Sequence, residues 1–286
     1  MRTLGFPSTL SEPLFRFRDD AELKRHEAYR AAKAGDAAAA IRLVTDLAMP
    51  LRGVVMKRLI HSQWPADPIF VAPHAREAPG DNAIPQVLAT MLSMGAGELD
   101  EHIVQTTKVY HTGADAMERL IARASFHGRV RREANYVLVD DVTTLGGTLC
   151  DLSDYIRKHG GNVIGAVVLV NASRSGRLLP APKIVQRLER EFGHVIRETF
   201  GIKPPALTAD EAQYLIGFRA AEEIRGRSAK ARQTTNLRLR SKGIFLPEGR
   251  SGRSRQGRAV TIRTVPFPGA SAHTHSLPGS TRRRKR

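Results

Sequence analysis

The chain has 286 residues, 41% of them hydrophobic, which is length and core material for one α/β domain of ordinary size with extensions or for two small domains. Its formal net charge of +17 is concentrated at one end: residues 225–286 hold 17 Lys and Arg against one acid, Glu248, and the remainder carries +1, which excludes a nucleic-acid-binding fold argued from pI alone. A single cysteine, Cys150, excludes an internal disulfide or a cysteine-based metal site and is expected as a buried, inert thiol.

Residues 1–18 mix Pro7, Pro13, serines and three phenylalanines, and read as an irregular arm. Arg2, Glu12, Arg16, Arg18, Asp19 and Asp20 interrupt any apolar targeting segment there. Val163–Val170, the longest strongly apolar run, is too short to cross a bilayer as a helix. A soluble, cytoplasmic protein that does not engage membranes is expected. Ala21–Lys33 and Asp36–Leu47, split by Gly35, are rich in helix formers, with Asp36 placed to cap the second. Leu51–His61 suggests a third helix, and Trp64 a packing anchor. Residues 1–66 together read as an N-terminal helical extension or hood.

Pro68–Pro73 predicts the first core strand, followed by a loop containing Arg76 and Asn82 and by a helical run over Ala83–Met94. Ile103–Tyr110 predicts a second strand, whose Lys108 fits a ligand-facing cation and a solvent-facing edge lysine equally well. Gly113–Ser125 predicts a helix with Met117, Leu120 and Ile121 at core spacing and Arg119 and Arg123 on another side.

The most informative stretch is Tyr136–Thr148. Tyr136–Val139 has the pattern of a strand covered on both faces of a parallel sheet, and Asp140 and Asp141 follow where open α/β folds place their ligands. Thr143, Thr144, Leu145, Gly146, Gly147 and Thr148 then supply hydroxyls and two glycines ahead of the helical run Leu149–His159, so that backbone N–H groups converge on an anion. Gly160-Gly161 stops that helix, and Asn162–Val170 is another buried strand, completing a right-handed crossover unit. Asn171–Arg177 leaves the sheet at the same edge as the acid pair, where it could line an acceptor pocket. Helices are predicted over Pro182–Phe192 and Thr208–Arg225, the latter opening with a Thr208–Glu211 capping box. From about Gly226 the composition shifts to Arg, Ser, Gly and Pro, the signature of a disordered segment.

The apolar strand, acid pair and Thr/Gly loop of Tyr136–Thr148 resemble the signature of the type I phosphoribosyltransferases. The Pro73, Arg76 and Gly80–Asn82 arrangement after the first strand looks most like the ComF-type branch of that family. The resemblance implies an α/β core over residues 67–205, a mostly parallel sheet flanked by helices; pattern and composition add a C-terminal helix over 206–226 and a basic, largely disordered tail over 227–286. It also implies the ligand 5-phosphoribosyl-1-pyrophosphate (PRPP). Asp140 and Asp141 would hold the ribose hydroxyls, Thr143–Thr148 the 5-phosphate, and Arg76, Asn82 and Lys108 the pyrophosphate. Magnesium, held mainly by PRPP itself, would meet Asp140 and Asp141 through water. Leu145 stands where many members have Thr or Ser. Thr144 occupies the position at which purine-specific members carry an acid, which argues against the usual purine salvage activity.

In that family a nitrogenous nucleophile displaces pyrophosphate from C1 of the ribose through an oxocarbenium-like transition state. Variable elements, here residues 1–66 and 171–205, would bind the acceptor. A second copy of the chain in a homodimer is a further expected partner. The competing reading is a non-catalytic PRPP or nucleotide sensor, or a DNA-handling accessory, whose residues 227–286 bind nucleic acid without sequence preference.

Overall fold

A computed structural model describes residues 1–73, 82–106 and 114–241, with side chains to residue 237. Arg76, Lys108, the end of the strand expected over Ile103–Tyr110 and the segment 242–286 lie outside the described residues.

Five parallel strands form the main sheet in the order β1-β7-β6-β2-β3. They are β1 (Leu14–Phe17), β2 (Ile69–Val71), β3 (Glu98–Asp100), β6 (Asn135–Thr143) and β7 (Asn162–Asn171). A separate antiparallel pair joins β4 (Val104–Gln105) to β5 (Phe126–His127). The fold is therefore α/β with a parallel sheet. Tyr136–Val139 of β6 is buried on both faces, as its β-branched and aromatic run requires.

Helices cover both faces. On one side α3 (Ala37–Ile60) and α4 (Ile84–Ser93), with the short α1 (Ala21–Arg25) and α2 (Tyr29–Lys33), pack on Phe70, Val137, Val139, Val167 and Leu169. On the other, α6 (Gly147–Lys158) packs on Ile69, Val71, Tyr136, Leu138 and Val168. A third apolar cluster joins α5 (Ala116–Ile121), α7 (Pro182–Phe200), α8 (Ala209–Leu215) and α9 (Ala221–Ser241). Trp64 is the expected packing anchor: it is buried against β7, where a Cβ on Gly165 would stand 2.5 Å from its ring.

Several local expectations are corrected. Leu14–Phe17, read as part of an irregular arm, is an edge strand in register with Val167–Val170 of β7. The run Ala21–Lys33 divides at His26, whose extended backbone ends α1 and whose Nδ1 accepts the Ala28 N–H at 3.2 Å. Two expected helices fuse into the 24-residue α3, which begins at the Asp36 cap and continues through Pro50. Pro50 removes only the bond to the Asp46 carbonyl, on the exposed side of the helix, where water can replace it. β3 is a three-residue strand with one exposed position, too short to leave a period-2 signal. Val104–Gln105 joins the small antiparallel pair, and α5 occupies only the middle of Gly113–Ser125, starting at a capping box of Asp115 and Glu118.

Past Leu215 the chain breaks and restarts as α9, which continues to Ser241, well beyond the helix end expected at 226. Ile224, Ser228 and Ala231 are buried on one stripe of α9, so its sequence is helical and amphipathic where composition alone suggested a tail.

These connections create a switch point. From β2 the chain passes through α4 to β3 on one side, whereas β6 and β7 lie on the other. The registers place Val71, the last residue of β2, opposite Leu138. β6 runs five residues further, flanked there by β7 alone. Its free edge beyond Leu138 is the crevice that doubly wound sheets use for ligands.

Candidate functional site

Asp140 and Asp141 stand in that overhang. The sequence reading ends the strand at Val139, but β6 continues through both acids to Thr143, with Asp140 opposite Val168 and Thr143 opposite Asn171 of β7. Strand alternation sends consecutive side chains to opposite faces. Asp141 goes to the face of α2 and α4, and Asp140 to that of α6.

The two carboxylates consequently differ. Asp141 is 4% exposed, and its Oδ2 is 2.6 Å from the Lys33 ammonium and accepts Asn82 Nδ2 at 2.8 Å. Its Oδ1 accepts the Val142 N–H at 2.9 Å. Asp140 is half-buried and, among the described residues, receives one donor, the Asp141 N–H at 2.8 Å on Oδ1. Burial and the adjacent Asp141 charge push the Asp140 carboxyl well above the usual carboxylate range. Burial opposes the Lys33 charge, but Asp141 outweighs it and holds the ammonium above an ordinary lysine pKa.

The following loop opens α6. Gly146 adopts a left-handed conformation, φ 76°, which a residue with a Cβ reaches only at a cost, and it turns the chain from strand into helix. Among the described residues no side chain caps α6, so the N–H groups of its first turn are left for a ligand. Thr143 is buried, whereas Thr144–Thr148 are half-buried around the opening. Arg119 of α5 donates to Thr144 Oγ1 at 2.8 Å, and Thr208 Oγ1 donates to the Leu145 carbonyl. The loop is thus braced from two helices.

Beneath it lies a buried charge network. Arg2, 3% exposed, pairs with Glu211 of α8, stands 3.6 Å from Asp151 and donates to the Gly147 carbonyl at 3.3 Å. Arg123, just past the end of α5, also pairs with Asp151. Burial, with Arg2 nearby, lowers the Arg123 pKa to about 10. Asp154 accepts the N–H groups of Thr3, Leu4 and Gly5 and pairs with Lys158, so residues 2–5 are fastened along α6. Cys150, beside this network, is fully buried with its thiol pushed up to about 11 by burial, in keeping with an inert side chain.

Asn82 is brought to the acid pair, its Nδ2 on Asp141 and its Oδ1 accepting the Ile84 N–H at 3.2 Å near the start of α4. The turn Asn171–Arg177 lies beside the loop through the Ala172 N–H bond to the Thr143 carbonyl, and Ser175 is held by Asp210. The sequence reading missed Lys33, Arg2 and Thr208 as neighbours of the site. Each comes from a distant segment, and nothing in its local pattern signals the encounter. Among the described residues no three His, Cys, Asp or Glu side chains gather as a metal site. Asp141 has both oxygens engaged, so the acid pair does not form a direct ligand set for magnesium.

No family model matches the chain. The Escherichia coli protein TraN is 36% identical over 219 residues, 75% of this chain and 48% of that protein. A Haemophilus influenzae protein described only as uncharacterized is 35% identical over 155 residues, 54% of this chain and 33% of its own length. The chain spans between a third and a half of the length of these curated relatives. Among solved structures, an adenine phosphoribosyltransferase from Leishmania tarentolae matches 57% of this chain and 93% of its own at 13% identity and a TM-score of 0.29. Further structural neighbours are also adenine or purine phosphoribosyltransferases. The α/β fold itself rests on the strand order and registers above. No helix among the described residues is long and apolar enough to cross a membrane.

Proposed function

We propose that this chain binds PRPP at the overhanging end of β6 and transfers its phosphoribosyl group to a nitrogenous acceptor. The observation that carries this reading is the uncapped N-terminus of α6, entered through left-handed Gly146, opening directly beside an acid pair at the switch point of a parallel sheet. In this reading the first turn of α6 takes the 5-phosphate and Asp140 accepts from a ribose hydroxyl. The acceptor nitrogen attacks C1 with its lone pair. The C1–oxygen bond breaks, its electrons leave with pyrophosphate, and the acceptor proton passes to solvent. Positioning and neutralisation of the leaving group supply the rate, so the protein needs no nucleophile of its own. Magnesium would be held mainly by PRPP itself, with Asp140 and Asp141 meeting it through water, and would supply charge neutralisation to the leaving pyrophosphate.

Pyrophosphate release from PRPP, screened against purine and pyrimidine bases, nicotinate-like acids and ammonia, tests the transfer step. Release that depends on one acceptor supports it. Binding of PRPP without release under every acceptor would favour a sensor.

The second reading places nucleic acid on the basic C-terminal segment. The exposed Lys230 and Arg232 on α9 favour it, since they put basic charge on an ordered helix ahead of residues 242–286, whereas Arg225 and Arg227 are paired with Glu198, Glu222 and Glu223. Cutting after Arg225 would remove the buried Ala231 and damage the third cluster. Truncation after Ser241 is the cleaner test. It is expected to leave PRPP binding unchanged and to remove most salt-dependent DNA or RNA binding in a filter or anisotropy assay. Equal nucleic-acid affinity with and without 242–286 would contradict that division.

A further inference from the structure

We propose that Lys33, delivered by the N-terminal segment, is a ligand-binding residue for the second anionic end of the substrate, and that Asp141 is its positioning residue. This rests on the PRPP reading above and assigns the two acids unequal work.

Three observations converge. First, Lys33 is built into place: the Ala83 N–H bonds to the Ala32 carbonyl at 3.1 Å, which fastens the end of α2 beside Asn82, and Lys33 and Asn82 then meet on one oxygen of Asp141. Ala28 and Ala32 anchor the segment in the core beneath. Second, the Lys33 ammonium spends one of its three N–H bonds on Asp141, its side chain is 35% exposed, and no other described residue accepts from it. It is a fixed cation with donors to spare. Third, Asp141 is 4% exposed with a protein donor on each of its oxygens, whereas among the described residues none donates to the second oxygen of the half-buried Asp140.

The placement of the charges decides which part of a ligand each can reach. The α6 cradle and Lys33 belong to opposite faces of the sheet, with the end of β6 between them. A single phosphate cannot occupy both. A ligand with two anionic ends can, with its 5-phosphate on α6, its diol at Asp140 and its diphosphate at Lys33. Lys33 therefore favours a doubly anionic phosphoribosyl compound over a monophosphate, and neutralises charge as the diphosphate departs.

Calorimetric titration with two probes, PRPP and ribose 5-phosphate, on the full chain tests this. Lys33→Met is expected to weaken PRPP by about tenfold or more, the loss of one charge-assisted hydrogen bond, and to leave ribose 5-phosphate within about twofold. Lys33→Arg should restore PRPP to within about threefold of the parent, since it keeps the charge. A melting curve accompanies each variant, and Lys33→Arg provides the comparison should Lys33→Met fold poorly. Equal losses for both probes, or no loss for either, would overturn the inference and leave the PRPP reading standing. Absence of PRPP binding by the parent chain would overturn both.

Discussion

Arg2→Met is expected to destabilise the protein by about 3–5 kcal/mol, because it leaves the Glu211 carboxylate buried without its cation. The side chains of Arg2 and Glu211 are each 1% exposed, so water cannot replace the lost partner. Glu211 also closes the capping box at the start of α8, whose Thr208 holds the Leu145 carbonyl. The damage thus reaches the loop as well as the core. The double variant Arg2→Met with Glu211→Gln removes the stranded charge and keeps a carbonyl oxygen for the Thr208 N–H. It is expected to recover a large part of the loss, and a double-mutant cycle in urea reads the coupling directly. Additive losses in that cycle would show that the pair contributes nothing as a pair.

The acid pair should divide. Asp140→Asn removes a charge that burial and Asp141 both disfavour. A carboxyl with a raised folded pKa costs stability while it is ionised, and that cost is relieved as pH falls through the raised value. An amide never ionises and carries none of that cost, so Tm is expected to hold or rise, by about 2–4 °C for each kcal/mol recovered. The same variant should weaken PRPP binding by about tenfold or more, since an amide puts an N–H donor in place of one of the carboxyl oxygens that accept from the ribose hydroxyls. Asp141→Asn should instead destabilise by about 1–3 kcal/mol, because Lys33 loses its counterion and its place. Its effect on PRPP follows from the displaced Lys33. A Tm that holds or rises in Asp140→Asn and falls in Asp141→Asn distinguishes this account from one in which both acids face the ligand equally.

The parts of this molecule that are legible in its sequence are those written locally. The apolar, valine-rich run Val137–Val139 and the apolar Val163–Val170 announce buried parallel strands, and the Thr208–Glu211 spacing announces a capping box that forms as expected. Asp36 likewise caps its helix. The missed parts depend on sequence separation. Lys33 is 108 positions from Asp141, and Arg2 is 209 positions from Glu211, so no window contains both partners. Edge strands suffer similarly: Leu14–Phe17 and Glu98–Asp100 acquire their identity from β7 and β2, not from their own pattern. The extent of α9 was hidden by composition, since charged and polar residues such as Arg225, Arg227, Lys230, Arg232 and Gln233 dominate its exposed face while Ile224, Ser228 and Ala231 carry its packing.

The fold alone does not specify a reaction, because parallel sheets of this kind host many. The claim that matters is that the end of β6 and the start of α6 form one phosphoribosyl site. Calorimetric titration of the full chain with PRPP, beside the Asp140→Asn variant under identical magnesium and salt, tests it most directly. Saturable one-to-one binding by the parent, weakened in the variant while its melting temperature holds or rises, is the predicted result. Binding of equal strength in both proteins, or no binding in either, would contradict it.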